Sequence, residues 1–540
     1  MTYQEPERPE SPGTKDAEEH AADPQKAVDN QSLSSGQSWC EKVQFACSLI
    51  SPMASGGVLL LSKDIYVLEL AADVRLMGIA GTLLAIWGPC TNILVGYCMN
   101  RDPFGRCFPR STWGRRAPWF LTHLLAASVV TAAIYMPPWW GSTFLCWWYF
   151  GWGFVLCWLL SVLFNCFESC RAEMYPTKEE RSEVETACKI TSGAGGGLGS
   201  LPQLAVAASV TGLSMTLAGA GFFVIGLLSL VSVPVLRRAQ QTYEPNFTNS
   251  FLKDCRELLR QPAFVHLCAY RFMDAFINTL MLSGILYYLT VVGQKTGATR
   301  SFFYALIAMS LGGSAIVLMP VWTIFFRKRR ESVNPSSVCG RVMMLGLAAP
   351  VCLFLGRLLV PKPWELVIYV FVLSASLTGQ TYWRALALCW IVDEDCQAKV
   401  GRRRESVFVG CVSLISSLGR AAAMGVIFFG LAMAGLNTTA CSTHCFGEKA
   451  GQARDVCRSA CEVRNTRQDP SVTLCLNLIY MAIIPLGQAL AALLCCSFPI
   501  RGERLALLYE RQAALFINSS PSSLQVSSLA LAPPPTPLGK

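Results

Sequence analysis

Charge is what this 540-residue chain lacks most. Only 15% of its residues are Asp, Glu, Lys or Arg, whereas 52% are hydrophobic, and soluble domains are usually about 25% charged. One or two soluble cores could not bury so much apolar surface, because the exposed area keeps growing with chain length. Histidine is scarcer still, with four residues in the chain. These shortages exclude an ordinary soluble domain and disfavour a metal site built from histidines.

The hydrophobic residues are grouped in runs of about 20, the length that an α-helix needs to cross a bilayer. Short polar segments separate the runs, as expected for membrane-spanning helices. We therefore predict an all-α integral, multi-pass membrane protein with twelve transmembrane helices. The predicted spans are 43–63, 75–99, 117–137, 143–168, 187–210, 213–235, 263–291, 301–326, 340–360, 366–392, 406–432 and 473–497.

Basic residues are concentrated in the loops that follow even-numbered spans. Lys and Arg resist translocation, so these loops and both termini are predicted to be cytosolic. No cleavable signal peptide is visible in the polar first 40 residues, and the first span is expected to drive insertion. The predicted domains are a disordered cytosolic tail 1–40, a six-helix bundle 41–235, a cytosolic linker 236–262 with a short helix, a six-helix bundle 263–500 whose cysteine-rich loop 433–472 is not cytosolic, and a cytosolic tail 501–540.

Five stretches carry a family resemblance. They are "WGPCTNILVGYCMNRDPFGRCFPRSTWGRRAPWF" (87–120), "AEMYPTKEERSEVETACKITSGAGGGLG" (172–199), "RQPAFVHLCAYRFMDAF" with "ILYYLTVVG" (260–276 and 285–293), "VDEDCQAKVGRRRESVFVG" (392–410) and "CCSFPIRGERLALLYERQ" (495–512). In order, they resemble segments of the glycoside–pentoside–hexuronide cation symporters, a branch of the major facilitator superfamily that includes eukaryotic lysophospholipid transporters. The resemblance runs from about residue 41 to 515. It implies two six-helix bundles that rock about a central site, and a secondary transporter rather than an enzyme.

The resemblance also implies a cytosolic gate in which arginines of the turns pair with nearby carboxylates. An alternative is that these arginines only set the topology and contact lipid headgroups. The predicted gate residues are Arg115, Arg116, Glu179, Glu180, Asp393, Arg402, Arg403 and Glu405.

Several ionisable residues fall inside the predicted spans, where each costs a few kcal/mol or more and is therefore a functional candidate. Lys189, Arg384 and Arg420 would give a central cavity positive charge for a carboxylate or phosphate. Asp274 and Glu168 are the candidate counter-charges or proton carriers. An alternative is that these side chains snorkel to the interface or form static pairs.

The coupling ion is uncertain from the sequence, because the family's two cation-binding aspartates of the second span are Gly88 and Asn92 here. Asn92 still offers a carbonyl oxygen, but without a formal charge. Proton coupling through Asp274 or Glu168, or uncoupled transport, is therefore at least as well supported as sodium coupling. No resident cofactor or metal is expected.

Four cysteines of the 433–472 loop are spaced like two helical turns joined by disulfides: Cys441, Cys445, Cys457 and Cys461. The predicted bonds are Cys441–Cys461 and Cys445–Cys457. A zinc site has similar spacing, but the predicted topology places the loop in an oxidising compartment, which favours disulfides. Asn437 begins an "NTT" glycosylation acceptor on the same side.

The predicted solute is anionic or zwitterionic, with a lysophospholipid first and a sugar, as in a sugar/cation symporter, second. A non-transporting membrane receptor or scaffold is the alternative of another class. The expected partners are the small solute or lysolipid and membrane lipids, with no nucleic acid, and the protein is expected to be a monomer. The stretch "SGAGGGLGS" (192–200) would allow another helix to approach closely, either as static packing or as a rocking contact.

Overall fold

The computed structural model describes residues 38–99, 104, 107–114, 116–175, 178–208, 211–238, 256–328, 334–398, 405–439, 441, 445, 452–508 and 510. Within these ranges the chain is almost entirely helical and contains no strand. Residues Trp39–Tyr509 form one compact unit.

Twelve long helices follow one another along this unit, and short turns join most of them. Those numbered α1, α6, α9 and α12 each contain one turn of 3₁₀ or π geometry. The helices are α1 (Trp39–Leu70), α2 (Val74–Met99), α3 (Ala117–Ile134), α4 (Ser142–Met174), α5 (Lys178–Ala208), α6 (Gly212–Leu236), α7 (Pro262–Val291), α8 (Gly297–Lys328), α9 (Pro335–Leu359), α10 (Trp364–Ala398), α11 (Glu405–Met433) and α12 (Pro470–Cys496).

Nine of these helices are long and apolar enough to cross a membrane, judged over the described residues. The other three, α5, α8 and α10, lie at predicted spans but do not meet this criterion over the described residues. Helix α5 begins with the charged sequence "KEERSEVETACK". Such residues are tolerated in a membrane helix where they face other helices or an aqueous hollow rather than lipid.

Two helices extend well past their predicted ends. The first predicted span stops at residue 63, but α1 continues to Leu70, and α5 begins at Lys178 rather than at 187. Hydropathy places a boundary where charged residues begin. The backbone does not, because each added helical residue gains a hydrogen bond whatever its side chain. Lys63 and Asp64 consequently lie inside a helix and not at its end.

The first half of the unit, α1–α6, meets the second half, α7–α12, along a seam of three helix pairs. Helix α2 packs along α11, α5 packs along α8, and α1 contacts α7. Any group that projects from these helices into the seam can therefore be reached from both halves.

The two ends of the helices are easily distinguished. Arg238, just after α6, pairs with Glu41 at the start of α1, and His266 of α7 hydrogen-bonds Ser497 just after α12. In each half, the start of the first helix thus lies next to the end of the last helix. We call the side of the unit that carries these helix ends the terminal side. The opposite side carries the loop between α11 and α12, and we call it the disulfide side.

The glycines of α5 allow a close crossing with α1. A Cβ atom at Gly199 would lie 2.7 Å from Ala54 Cα, and one at Gly195 would lie 2.7 Å from the Ile50 carbonyl oxygen. Backbone atoms cannot yield as a flexible side chain can, so these two positions require glycine. Gly197, about half a turn from each, lies on the opposite face of α5 and faces open space.

Candidate functional site

Asp274 of α7 is the centre of a charged cluster in the second half. Its Oδ2 accepts hydrogen bonds from Arg271 and Arg384, each at 3.0 Å. Its Oδ1 accepts from Asn278 at 2.7 Å and from the Gln380 amide. Four donors therefore hold this one carboxylate, which acts as the counter-charge of two arginines and has no oxygen left without a partner.

A second charged cluster lies in the first half, where α4 ends and α5 begins. Glu185 accepts from Arg171 at 2.7 Å and from Lys189 at 3.2 Å. Arg171 also pairs with Glu168 at 2.5 Å. Lys189 and Glu168, both predicted site residues, thus belong to one network, and Glu185 joins them.

The two clusters face each other across the seam. Glu185 and Arg384 lie within electrostatic range of one another, although they belong to different halves. The side chains of Arg384 and Lys189 are 32% and 22% exposed, whereas that of Asp274 is 4% exposed. We call the region between the two clusters the hollow, because the charged side chains around it keep part of their surface accessible.

Arg420 of α11 projects into the same region. It donates to Ser417 at 2.5 Å and lies within electrostatic range of Cys157 on α4 and of Arg271 on α7. Among the described residues, no carboxylate lies within ion-pair distance of it. Counted over the described side chains, the hollow therefore contains five cations and three carboxylates: Arg171, Lys189, Arg271, Arg384, Arg420, Glu168, Glu185 and Asp274.

Asn92 of α2 lies in a neutral row of side chains between α2 and α4. Its amide oxygen accepts from Asn165 at 3.4 Å, and one turn away the hydroxyls of Thr91 and Ser161 are 2.5 Å apart. Sodium sites are built from oxygen ligands, and carboxylates supply the charge that holds the ion. This row supplies amide and hydroxyl groups only, so it does not fit the cation site that the resemblance implies.

Lys63 and Asp64 were missed as site residues. Both are fully buried, and Lys63 Nζ lies 3.3 Å from Asp64 Oδ1 and 3.0 Å from the hydroxyl of Ser283 on α7. Asp64 Oδ2 has no hydrogen-bond partner, and the hydroxyl of Tyr287 faces this carboxylate. The signal in the sequence is a Lys-Asp pair directly after an apolar run, where hydropathy predicts the end of the first span at residue 63.

Most of the predicted gate falls outside the described part of the chain. Arg115, Arg402 and Arg403 lie outside the described residues, and so do the side chains of Glu179, Glu180 and Glu405, whose backbones belong to α5 and α11.

Two predicted gate residues are described. Arg116 precedes α3, and its carbonyl oxygen accepts from Cys166 Sγ at 3.8 Å. Asp393 lies on α10 beside Glu394, which pairs with Arg504. The ion pairs Lys42–Glu183 and Arg504–Glu394 on the terminal side each join residues of one half.

The loop on the disulfide side contains both predicted disulfides, Cys441–Cys461 and Cys445–Cys457. They attach the loop helix (Gln452–Thr466) to the segment that follows α11. Backbone groups of Asn437 exchange two hydrogen bonds with the Gln468 side chain. Asp469 caps α12 by accepting from the Ser471 hydroxyl and amide, and these two hydrogen bonds lower the pKa of its carboxyl group.

Within the described part of the chain, no group of three or more His, Cys, Asp or Glu side chains could hold a metal ion.

Comparison with known structures shows the fold. A mutant of the peptide transporter POT in complex with sulfate superposes with a TM-score of 0.51 at 15% identity, over 83% of this chain and 94% of that one. A bacterial homologue of the human lysosomal transporter Spinster gives 0.51 at 13% identity, over 85% and 98%. A mutant of the nucleoside transporter NupG gives 0.50 at 12% identity, over 82% and 99%.

No curated protein matches the chain significantly. A family model described as "MFS/sugar transport protein" matches residues 64–502. That range includes nearly the whole helical unit, from Asp64 in α1 to the residues that follow α12. The chain therefore belongs to the MFS/sugar transport protein family, and it is a multi-pass membrane transporter of the major facilitator fold rather than an enzyme.

Proposed function

We propose that this protein carries an anionic or zwitterionic solute across a membrane by alternating access. The observation that carries the proposal is Arg420, a cation in the hollow with no carboxylate partner among the described residues. Arg420 is exposed, so a solute can reach its guanidinium and accept charge-assisted hydrogen bonds from it. An anionic solute would supply the missing counter-charge while it is bound.

The charge balance of the hollow supports the same conclusion. Its five cations exceed its three carboxylates, and four of the five are arginines. Arginine binds carboxylate and phosphate groups through two parallel hydrogen bonds, which makes the contact both strong and oriented. A cationic solute would instead be repelled.

A lysophospholipid is our first candidate, because its phosphate suits Arg420 and Arg384. A sugar is the second, and two observations favour it. The matching family is described by sugar transport. The half-buried side chains of Asn92 and Asn165 offer neutral hydrogen-bonding groups that suit hydroxyls. The terminal side would face the cytosol, as the basic loops predict.

Glu168 is a better candidate than Asp274 for carrying a coupled proton. Asp274 uses both oxygens to hold four donors, and a proton would have to displace one of them. Glu168 pairs with Arg171 and keeps 37% of its side chain exposed, so it can meet water from the hollow. We therefore assign Asp274 to positioning Arg384 and retain Glu168 as the candidate proton carrier.

Reconstituted transport tests the proposal directly. Purified full-length protein in liposomes would receive labelled lysophosphatidylcholine, or separately a labelled hexose, with and without a pH gradient. Albumin extraction removes lysolipid from the outer leaflet, so retained label measures transport. Protein-dependent retention of lysolipid supports a lysophospholipid as the transported solute. Retention of hexose alone supports a sugar. If neither solute is taken up under any gradient, the receptor alternative is favoured.

A further inference from the structure

Glu69 and Arg300 form a buried ion pair across the seam on the disulfide side. Glu69 lies one residue before the end of α1 in the first half, and Arg300 lies in the first turn of α8 in the second half. Their side chains are only 9% and 5% exposed. A second guanidinium nitrogen of Arg300 donates to Thr290 at the end of α7. The pair is thus anchored to three helices.

Helix α1 makes two more contacts with the second half near this pair. Lys63 donates to Ser283 of α7 at 3.0 Å, and the carbonyl oxygen of Val67 accepts from Thr438, in the segment before the disulfides, at 2.9 Å. Lys63, Val67 and Glu69 all lie in the last two turns of α1. The last two turns of α1 therefore contact the second half at three successive points and close this side of the seam.

We propose that Glu69 and Arg300 are the residues that latch the disulfide side shut during the transport cycle, with Lys63–Ser283 as the inner seal. The inference rests on the proposed alternating access, because only a carrier must open this side. It assigns a step of that cycle to residues outside the solute site.

The energetics of a buried ion pair suit such a latch. When both charges are present the pair is neutral and hydrogen-bonded, so it tolerates a sealed environment. When one partner is removed, the other is left buried without a counter-charge, which is strongly unfavourable. The open state exposes both groups to water and avoids that penalty. Loss of either partner therefore shifts the population toward the open disulfide side.

A buried thiol reports this shift without any solute. Leu286→Cys places a thiol at a buried position on α7, one turn before Thr290 and outside the proposed contacts. In the full-length protein, exposed Cys40, Cys107 and Cys389 are first changed to Ser. Reaction with a polar maleimide is then followed by mass spectrometry of the peptide around residue 286. Glu69→Gln and Arg300→Gln should each accelerate labelling at least ~10-fold, since even a partial loss of a buried pair exceeds 1.4 kcal/mol.

Two controls make the result specific. Glu394→Gln removes the partner of Arg504 from an ion pair within one half and should leave the labelling rate unchanged. Glu69→Arg combined with Arg300→Glu restores an ion pair of reversed polarity and should return the rate toward that of the parent. Each variant must elute as a single folded species before labelling.

The latch is overturned if Glu69→Gln labels at the parent rate, or if the charge-reversed double variant labels as fast as the single variants. If a single variant does not fold, Arg300→Lys can replace it. This variant keeps the positive charge but lacks the planar guanidinium group, and it should give an intermediate labelling rate. A labelling rate equal to that of the parent with Arg300→Lys would then also reject the latch. Failure of the proposed function would appear elsewhere, as absence of solute uptake by the parent protein.

Discussion

Asp274 Oδ2 on α7 and the guanidinium of Arg384 on α10 are 3.0 Å apart, although 110 positions separate the two residues in the chain. The same oxygen also binds Arg271, so one carboxylate balances two arginines. Asp274 therefore determines where Arg384 points and how much positive charge the hollow presents.

Asp274→Ala should destabilise the protein, because Arg271 and Arg384 would repel each other without their shared counter-charge. We expect a loss of about 3 kcal/mol, at the low end for a broken buried pair since Arg384 is partly hydrated. The thermal unfolding temperature of the purified protein measures the effect. Glu394→Gln, which breaks a more exposed pair, should lower stability by less than about 1 kcal/mol. Equal effects of the two variants would contradict the role given to Asp274.

Arg420→Gln should impair transport without affecting stability. No carboxylate among the described residues depends on Arg420, so its loss leaves no described anion unpaired. Transport of an anionic solute should fall at least ~10-fold, because a charge-assisted hydrogen bond contributes about 1.5–3 kcal/mol. Arg420→Lys should retain part of the activity, since the charge remains. A variant Arg420→Gln with normal uptake kinetics would remove the main support for an anionic solute.

Gly199→Ala should destabilise the crossing of α1 and α5, whereas Gly197→Ala should not. The added methyl at residue 199 would meet the backbone of Ala54, and the helices would have to separate at a cost of about 1–3 kcal/mol. At residue 197 the methyl would meet nothing within 4 Å. Comparison of the two unfolding temperatures tests the assignment, and it would be contradicted if the two variants unfold alike.

The two disulfides should hold the loop on the disulfide side together. Cys441→Ser with Cys461→Ser opens a loop of sequence separation 20, and should lower the stability of the loop by about 3 kcal/mol. Limited proteolysis within the loop helix should then become faster. Cys107→Ser, at an exposed free cysteine, is the control and should have no effect. Peptide mapping without reductant should recover the two predicted linkages, and any other pairing would contradict the structure.

Replacement of Na⁺ by choline should leave transport unchanged. The side chains between α2 and α4 are neutral, and Asn92 already accepts a hydrogen bond from Asn165. A monovalent cation would find no formal negative charge there to offset its dehydration. Uptake measured in matched sodium and choline buffers at equal pH decides the point. Uptake that requires sodium would show that a cation site exists elsewhere in the hollow.

Much of the molecule could be predicted from the sequence because bilayer crossing leaves a strong periodic signal. Apolar runs of the right length predicted where the long helices of the described chain lie, and the spacing of four cysteines predicted the pairing of the two disulfides. Arg420, Lys189 and Asp274 were identified because charge inside an apolar run is conspicuous. These features are local, and each can be recognised from a short segment of chain.

The remaining features depend on contacts between distant segments, which only the tertiary structure supplies. Asp64 and Lys63 looked like the end of a span until α1 was seen to continue past them, and Glu185 looked like part of a polar turn until it was found between Arg171 and Lys189. The sequence by itself determined which helices form, because that choice depends on hydropathy along the chain. The tertiary structure decided which charges are paired, since an ion pair such as Glu69–Arg300 depends on how the helices pack.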